Sequence, residues 1–189
     1  MNIPKSKRKK ALIIVDVQPI FLNDKNRHVV SNIAYVIREF PYDLYINAVF
    51  YADKDSMWHK QLKWTVPKKE ARTYIIIRKL LDKKKNIINV IKQTKSVFKP
   101  EKIIIDNKNI IASSTLKHQL FLEGIEEVHI VGLDTNDCVL ATAYEAFDLG
   151  FFTYVIEECV QSSGGDNIHR KGIDLLRYAE LTNYPDYKK

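Results

Sequence analysis

A chain of 189 residues with 46% hydrophobic and 28% charged content is long enough for one domain with a substantial core, and its composition is that of an ordinary globular protein. No run of 18 or more apolar residues occurs, which argues against a membrane-spanning helix, and two cysteines do not make a disulfide scaffold. The net charge of +7 is uneven: residues 1–100 carry 22 Lys and Arg against 8 Asp and Glu, whereas residues 101–189 carry 8 against 15.

A basic half of this kind suits nucleic acid or an anionic substrate, but lysines scattered over solvated faces need no partner. No nucleic-acid-binding motif accompanies the charge, so the expectation is neither a nucleic-acid partner nor a membrane partner. The apolar run after the basic opening, ALIIV, is too short for a signal-peptide core and ends at Asp16. A reducing, cytoplasmic setting is expected.

In chain order, residues 1–10 read as a basic tail ahead of a single domain over 11–189. ALIIVD (11–16) is a continuous apolar run ending in a charge, as in a buried parallel strand. Residues 29–40 read as a helix and LYINAVF (44–50) as the next strand. Residues 51–69 hold both tryptophans and lack a clear period, suggesting a loop with a short helical piece. TYIIIRKLLDKK (73–84) fits helix or strand. NIINVIK (86–92) reads as a strand ending in a lysine, and 93–110 as an irregular charged segment. STLKHQLFLEG (114–124) reads as a helix stopped by Gly124. EVHIVG (127–132) is a strand, Cys138 to Leu149 a helix, FFTYVIE (151–157) a strand and 168–180 a last helix. Strands alternate with helices, which predicts an α/β fold with a mostly parallel sheet.

In such sheets ligands bind beyond the carboxyl ends of the strands. Three residues with reactive side chains fall there: Asp16 after ALIIV, Lys92 after INVI, and Cys138 just past HIVG. A cysteine in the first turn of a helix has a lowered pKa, and a neighbouring lysine lowers it further. Taken singly, each has a plain alternative: a small buried cysteine, a loop-capping aspartate, a surface lysine.

The stretch VGLDTNDCVLATAYEAFDLGFFTYVIEECVQSSGG resembles the signature of the isochorismatase-like cysteine hydrolase superfamily, at Gly132, Thr135, Cys138, Val139, Thr142, Ala143, Ala146 and Gly150. ALIIVDVQPIFL is similar to its first motif at Asp16, Gln18 and Phe21, and VIKQTKSVF to its second at Lys92, Ser96 and Phe98. The resemblance spans about residues 11 to 165. It implies a doubly wound six-stranded sheet, mostly parallel, with helices on both faces, and an Asp16–Lys92–Cys138 triad. Family members include nicotinamidases, N-carbamoylsarcosine amidases and ureidoacrylate amidases, and isochorismatases, the last of which do not need the cysteine. Its presence tilts the expectation toward C–N bond hydrolysis.

The resemblance implies a cysteine-dependent hydrolase that cleaves an amide or carbamoyl-type bond of a small molecule through a thioester. Cys138 would attack, Asp16 would move the proton and Lys92 would hold both. The backbone N–H groups of Asp134, after a cis Leu133–Asp134 bond, and of Cys138 would form the oxyanion hole. The alternatives are a non-catalytic or scaffolding member of the same fold and a basic nucleic-acid-binding module. Phe21, Tyr51, Trp58 and Phe98 are expected around the substrate, with Trp64 beside Trp58. Nicotinamidases hold a metal through an Asp-x-His pair and further histidines. Here Asp53-Lys54-Asp55 and a lone His59 stand in that region, so neither metal nor other cofactor is expected. Lys108 rivals Lys92 for the triad. Residues 99–113 suggest a lid or a contact surface, and a homo-oligomer is expected. Cys159 reads as a small buried residue, with a redox role for it left open.

Overall fold

The computed structural model describes residues 8–105, 108–110 and 115–182. Among these residues seven strands form one sheet: β1 Lys9–Val15, β2 Leu44–Phe50, β3 Ile87–Lys92, β4 Lys102–Ile105, β5 Lys108–Ile110, β6 Ile125–Leu133 and β7 Phe152–Gln161. Their order is β5-β4-β3-β2-β1-β6-β7. The pairs among β1, β2, β3, β6 and β7 are parallel, and β4 and β5 add antiparallel at one edge.

The doubly wound, mostly parallel class is the one expected. Among the described residues the sheet has seven strands rather than the expected six, because KIII and KNI, within the segment expected to be irregular, extend the edge beyond β3. This hairpin lies within the segment 99–113 expected as a lid or a contact surface; residues 106–107 and 111–113 of it lie outside the described residues. The basic tail also gives way earlier than expected, since Lys9 and Lys10 already belong to β1; residues 1–7 lie outside the described residues.

Helices cover both faces. α1 Val29–Glu39 and α3 Ile75–Leu81 pack on one face. On the other lie α4 Leu116–Leu122, α5 Leu140–Asp148 and α6 Asp166–Tyr178. The segment 73–84 therefore resolves as helix, its apolar positions Ile77 and Leu81 one turn apart and buried. A short helix, α2 Met57–Leu62, rises from the loop after β2 and is capped by the Ser56 side chain, which accepts the His59 N–H.

Central β1 shows why the apolar run reads continuously. Ala11, Ile13 and Val15 enter one core while Leu12 and Ile14 enter the other, and all five are fully buried. Each buried leucine or isoleucine contributes about 1.5–3 kcal/mol of transfer free energy. Gly132 of β6 lies against β1 with φ 121°, and a Cβ there would sit 2.1 Å from the Val15 carbonyl oxygen, so only glycine lets the two strands close. No described helix is long and apolar enough to cross a membrane.

Candidate active site

The chain leaves β1 in one direction toward β2 and β3 and reaches β6 and β7 on the other side. The two halves therefore part between β1 and β6, and a crevice opens at the carboxyl ends of the strands there. A cavity of about 290 Å³ occupies it, lined among others by Asp16, Phe21, Phe50, Trp58, Trp64, Asp134 and Cys138.

Asp16 is the first residue past β1 and has φ 51°, a left-handed conformation that turns the chain at the cavity floor. Lys92 is the last residue of β3. The carboxyl and the ammonium are buried, 2% and 0% exposed, and Lys92 Nζ donates to Asp16 Oδ2 at 2.6 Å. Lys92 Nζ also donates to the Thr94 carbonyl at 3.1 Å and sits 5.1 Å from the Phe50 ring centroid. No hydrogen bond of ordinary geometry reaches Asp16 Oδ1, while the Cys138 thiol is the neighbour that donates toward this carboxyl. Of the two lysines weighed for the pair, Lys92 is the one that meets Asp16; the Lys108 side chain lies outside the described residues.

Cys138 does not open a simple α-helix. A π-helical turn, Thr135–Val139, joins β6 to α5 and carries the cysteine within it. Two contacts with α6 fix this turn. Thr135 Oγ1 and His169 Nδ1 share a hydrogen bond at 2.8 Å, and Gly172 lets the helix approach until a Cβ there would be 2.8 Å from the Asn136 nitrogen. The Leu133–Asp134 peptide is cis. The backbone N–H groups of Asp137 and Val139 donate to the Asp134 carbonyl, which ties the turn back to the end of β6.

The charges differ from expectation in one respect. Burial pushes the Cys138 thiol well above its usual range; Lys92 pulls it back, and Asp16 and Asp137 add to the rise. The helix-terminus argument predicted a lowered value, but the thiol is 8% exposed, and loss of solvation outweighs the lysine. Burial likewise raises Asp16 despite Lys92. For Lys92 burial acts downward, but Asp16 and then Cys138 outweigh it and raise the value. The two remaining acids of the rim have their own partners. Asp134 accepts the Ser163 backbone N–H at 2.8 Å and its hydroxyl at 2.5 Å. Asp137 pairs with Lys95 at 2.5 Å.

Phe21 and Trp58 line the cavity as anticipated, but Tyr51 and Phe98 do not. Strand side chains alternate between faces, so Phe50 turns to the cavity while its neighbour Tyr51 turns away and donates its hydroxyl to Glu101. Phe98 is stacked on Phe151, centroids 6.0 Å apart, within the core below. Phe50, Leu62, Leu133 and Ser163 were missed by the sequence reading. Phe50 ends β2, so the strand-end rule that selects Asp16 and Lys92 selects it too. Trp64 stacks on Phe50 at 5.8 Å and 11° between planes, and Trp58 meets both edge-on. Cys159 is fully buried in the opposite core.

The residues of the segment 53–59, where the resemblance would put metal ligands, do not fit a metal. Asp53 Oδ1 accepts the N–H groups of Asp55 and Ser56 at 3.1 and 3.0 Å, and His59 is joined by no second histidine. Among the described residues no three His, Cys, Asp or Glu side chains gather as ligands.

A family model for the Isochorismatase domain matches residues 10–184, and the chain belongs to that family. No curated protein matches the sequence. Solved structures share the fold. The pyrazinamidase/nicotinamidase of Streptococcus mutans is 22% identical over 92% of this chain and 98% of that one, with a TM-score of 0.69. The nicotinamidase of Bacillus subtilis is 22% identical over 92% and 97%, with a TM-score of 0.69. The pyrazinamidase of Pyrococcus horikoshii, solved in complex with zinc, is 18% identical over 92% and 97%, with a TM-score of 0.70.

Proposed function

We propose that this protein hydrolyses a C–N bond, amide or carbamoyl-type, of a small molecule through a thioester on Cys138. The observation that carries the reading is the buried Asp16–Lys92 pair, 2.6 Å apart, beside a cysteine lining the same cavity. A buried ion pair costs desolvation and is weak evidence for stability, so its presence beside a nucleophile argues for use.

The raised thiol makes Asp16 necessary. A thiol held well above neutrality stores no thiolate, so the proton must leave as the sulfur attacks. Asp16 Oδ1, without another fixed partner, takes it, while Lys92 on Oδ2 keeps the carboxylate charged until that moment. The S–C bond forms, and the carbonyl oxygen gains the negative charge toward the N–H groups of Asp134 and Cys138. Asp16 then returns the proton to the nitrogen as the C–N bond breaks. Water, deprotonated by Asp16, opens the thioester; the sulfur recovers a proton and the acid departs. Amide plus water becomes acid plus amine.

The aromatic wall of Phe21, Phe50, Trp58 and Trp64 suits a flat or apolar acyl group, and about 290 Å³ limits it to a small one. Nicotinamide, the substrate in the names of several structural neighbours, is not favoured, because the metal-ligand set is incomplete. A screen of small amides, ureas and carbamoyl compounds for released ammonia or amine tests the proposal. It predicts turnover that Cys138→Ala abolishes and an acyl adduct on Cys138 by mass spectrometry. Turnover retained in the alanine variant would overturn it.

A further inference from the structure

We propose that a second cavity, between α3 and the face of β2, β3 and β4 that carries Asn47 and Asn89, binds a nucleotide-sized organic phosphate. This cavity of about 570 Å³ is nearly twice the volume of the first and shares no lining residue with it.

Its floor has an unusual character for a parallel sheet. Strands of such sheets are normally covered by helices on both faces and apolar on both. In β3 the burial alternates: Ile88, Val90 and Lys92 are buried, whereas Ile87, Asn89 and Ile91 are only half-buried. Those three face the cavity with Asn47, Val49 and Ile104. Ile87 packs against the core beneath α1 and α3, and Ile91 against the cluster of Phe50 and Tyr51, while Arg78 and Leu81 of α3 form one side of the cavity.

Two asparagines lie opposite each other in mid-strand, Asn47 against Asn89. Asn47 Nδ2 donates to Asn89 Oδ1 at 2.8 Å, and Asn47 Oδ1 accepts the Thr73 hydroxyl at 2.8 Å. Asn47 is thereby oriented and fixes Asn89, whose Nδ2 group is left to donate into the cavity and whose Oδ1 retains a second lone pair. An asparagine amide so presented matches the donor and acceptor edge of a purine. The isoleucines on either side give a flat base an apolar surface to lie on.

The wall supplies charge. Arg72, Arg78, Lys84 and Lys85 line the cavity against a single carboxylate, Asp82. Arg72 also faces Glu70 at 3.7 Å, and Lys84 sits 5.0 Å from the Tyr45 ring, which leaves Arg78 and Lys85 as the cations with least engagement. Part of the positive excess of residues 1–100 is thus gathered on one groove. An apolar floor, a directed amide and a cationic wall together complement a base joined to a phosphate.

The test is calorimetric titration of the full chain with adenosine 5′-monophosphate at low salt, beside inorganic phosphate and adenosine. The expected result is one nucleotide per chain, bound at least tenfold more tightly than either half. Arg78→Glu should weaken it at least tenfold while leaving the melting temperature and the rate of Cys138 alkylation unchanged. Asn89→Leu should weaken the nucleotide but not inorganic phosphate. Absence of saturable binding, binding of inorganic phosphate as tight as the nucleotide, or binding indifferent to Arg78→Glu would overturn the proposal. So would a concentration-dependent dimer broken by Ile91→Asp, because a second copy would then cover this face.

Discussion

Removal of either member of the buried pair should stop turnover, yet the two removals should move the Cys138 thiol in opposite directions. At 2.6 Å and an effective dielectric constant of about 20, a pair such as Lys92 and Asp16 attracts by about 6 kcal/mol. Lys92→Met deletes the cation and keeps the bulk. Asp16 is then a lone buried carboxyl, already raised by burial and pushed further toward its protonated form without the ammonium. The base is lost, and so is the one influence that lowers the thiol. Asp16→Asn also removes the base, but it deletes an anion that raises the thiol and leaves the Lys92 ammonium in place. Both variants should lose at least about a hundredfold in kcat/KM, roughly 2.7 kcal/mol and less than half of the Coulomb attraction. Iodoacetamide labelling, followed by mass spectrometry across a pH series, reads the thiol independently of substrate. Relative to the wild type, labelling of Cys138 should slow in Lys92→Met and quicken in Asp16→Asn. A shift of the same sign in both, or turnover within a few-fold of wild type in either, would refute the reasoning.

Labelling of the wild-type protein should be slow at pH 7 and still rising at pH 9, and Cys138 should react ahead of the fully buried Cys159; a plateau near neutrality would contradict the raised thiol. Dialysis against a chelator should leave activity and melting temperature unchanged, and a stoichiometric divalent ion retained near Asp53 and His59 would contradict the incomplete ligand set. Burial pushes Glu127 up, but His129 at 2.9 Å together with Arg8 and Lys10 brings it below 4.5, so its stabilising contribution is present above pH 4.5 and is lost as the pH falls through the lower folded value. Glu127→Gln should therefore cost about 1–3 kcal/mol in urea unfolding at pH 7, with the deficit shrinking on acidification below pH 4.5.

A continuous apolar run made the central strand legible, because β1 is buried on both faces and the sequence shows it as the unbroken ALIIV. The rule that such strands deliver ligands at their carboxyl ends then brought Asp16 and Lys92 to one place from 76 positions apart. The β4–β5 hairpin was not legible, since two antiparallel strands of 4 and 3 residues carry too little pattern to separate from a charged loop. The direction of the Cys138 shift was misread for a different reason. Position near a helix start is visible in sequence, whereas burial is a property of everything packed above the residue, and burial dominates. Tyr51 was expected at the cavity as an aromatic side chain, but the alternation of faces that separates it from Phe50 turns it away.

That same alternation links the two cavities. Along β3, Lys92 turns to the catalytic side while Ile91 turns to the basic groove, and along β2 Phe50 and Val49 divide in the same way. A ligand in the groove would press on Ile91 and Val49, each one peptide from a residue of the candidate active site. Any movement of β3 along its own axis would displace Lys92 from Asp16, and at 2.6 Å little slack exists before the hydrogen bond is lost. Occupancy of the groove is therefore expected to change the rate of Cys138 labelling, because Lys92 is what holds the thiol down. An effect of the nucleotide on labelling that persists in Arg78→Glu at equal nucleotide concentration would show that the influence comes from elsewhere.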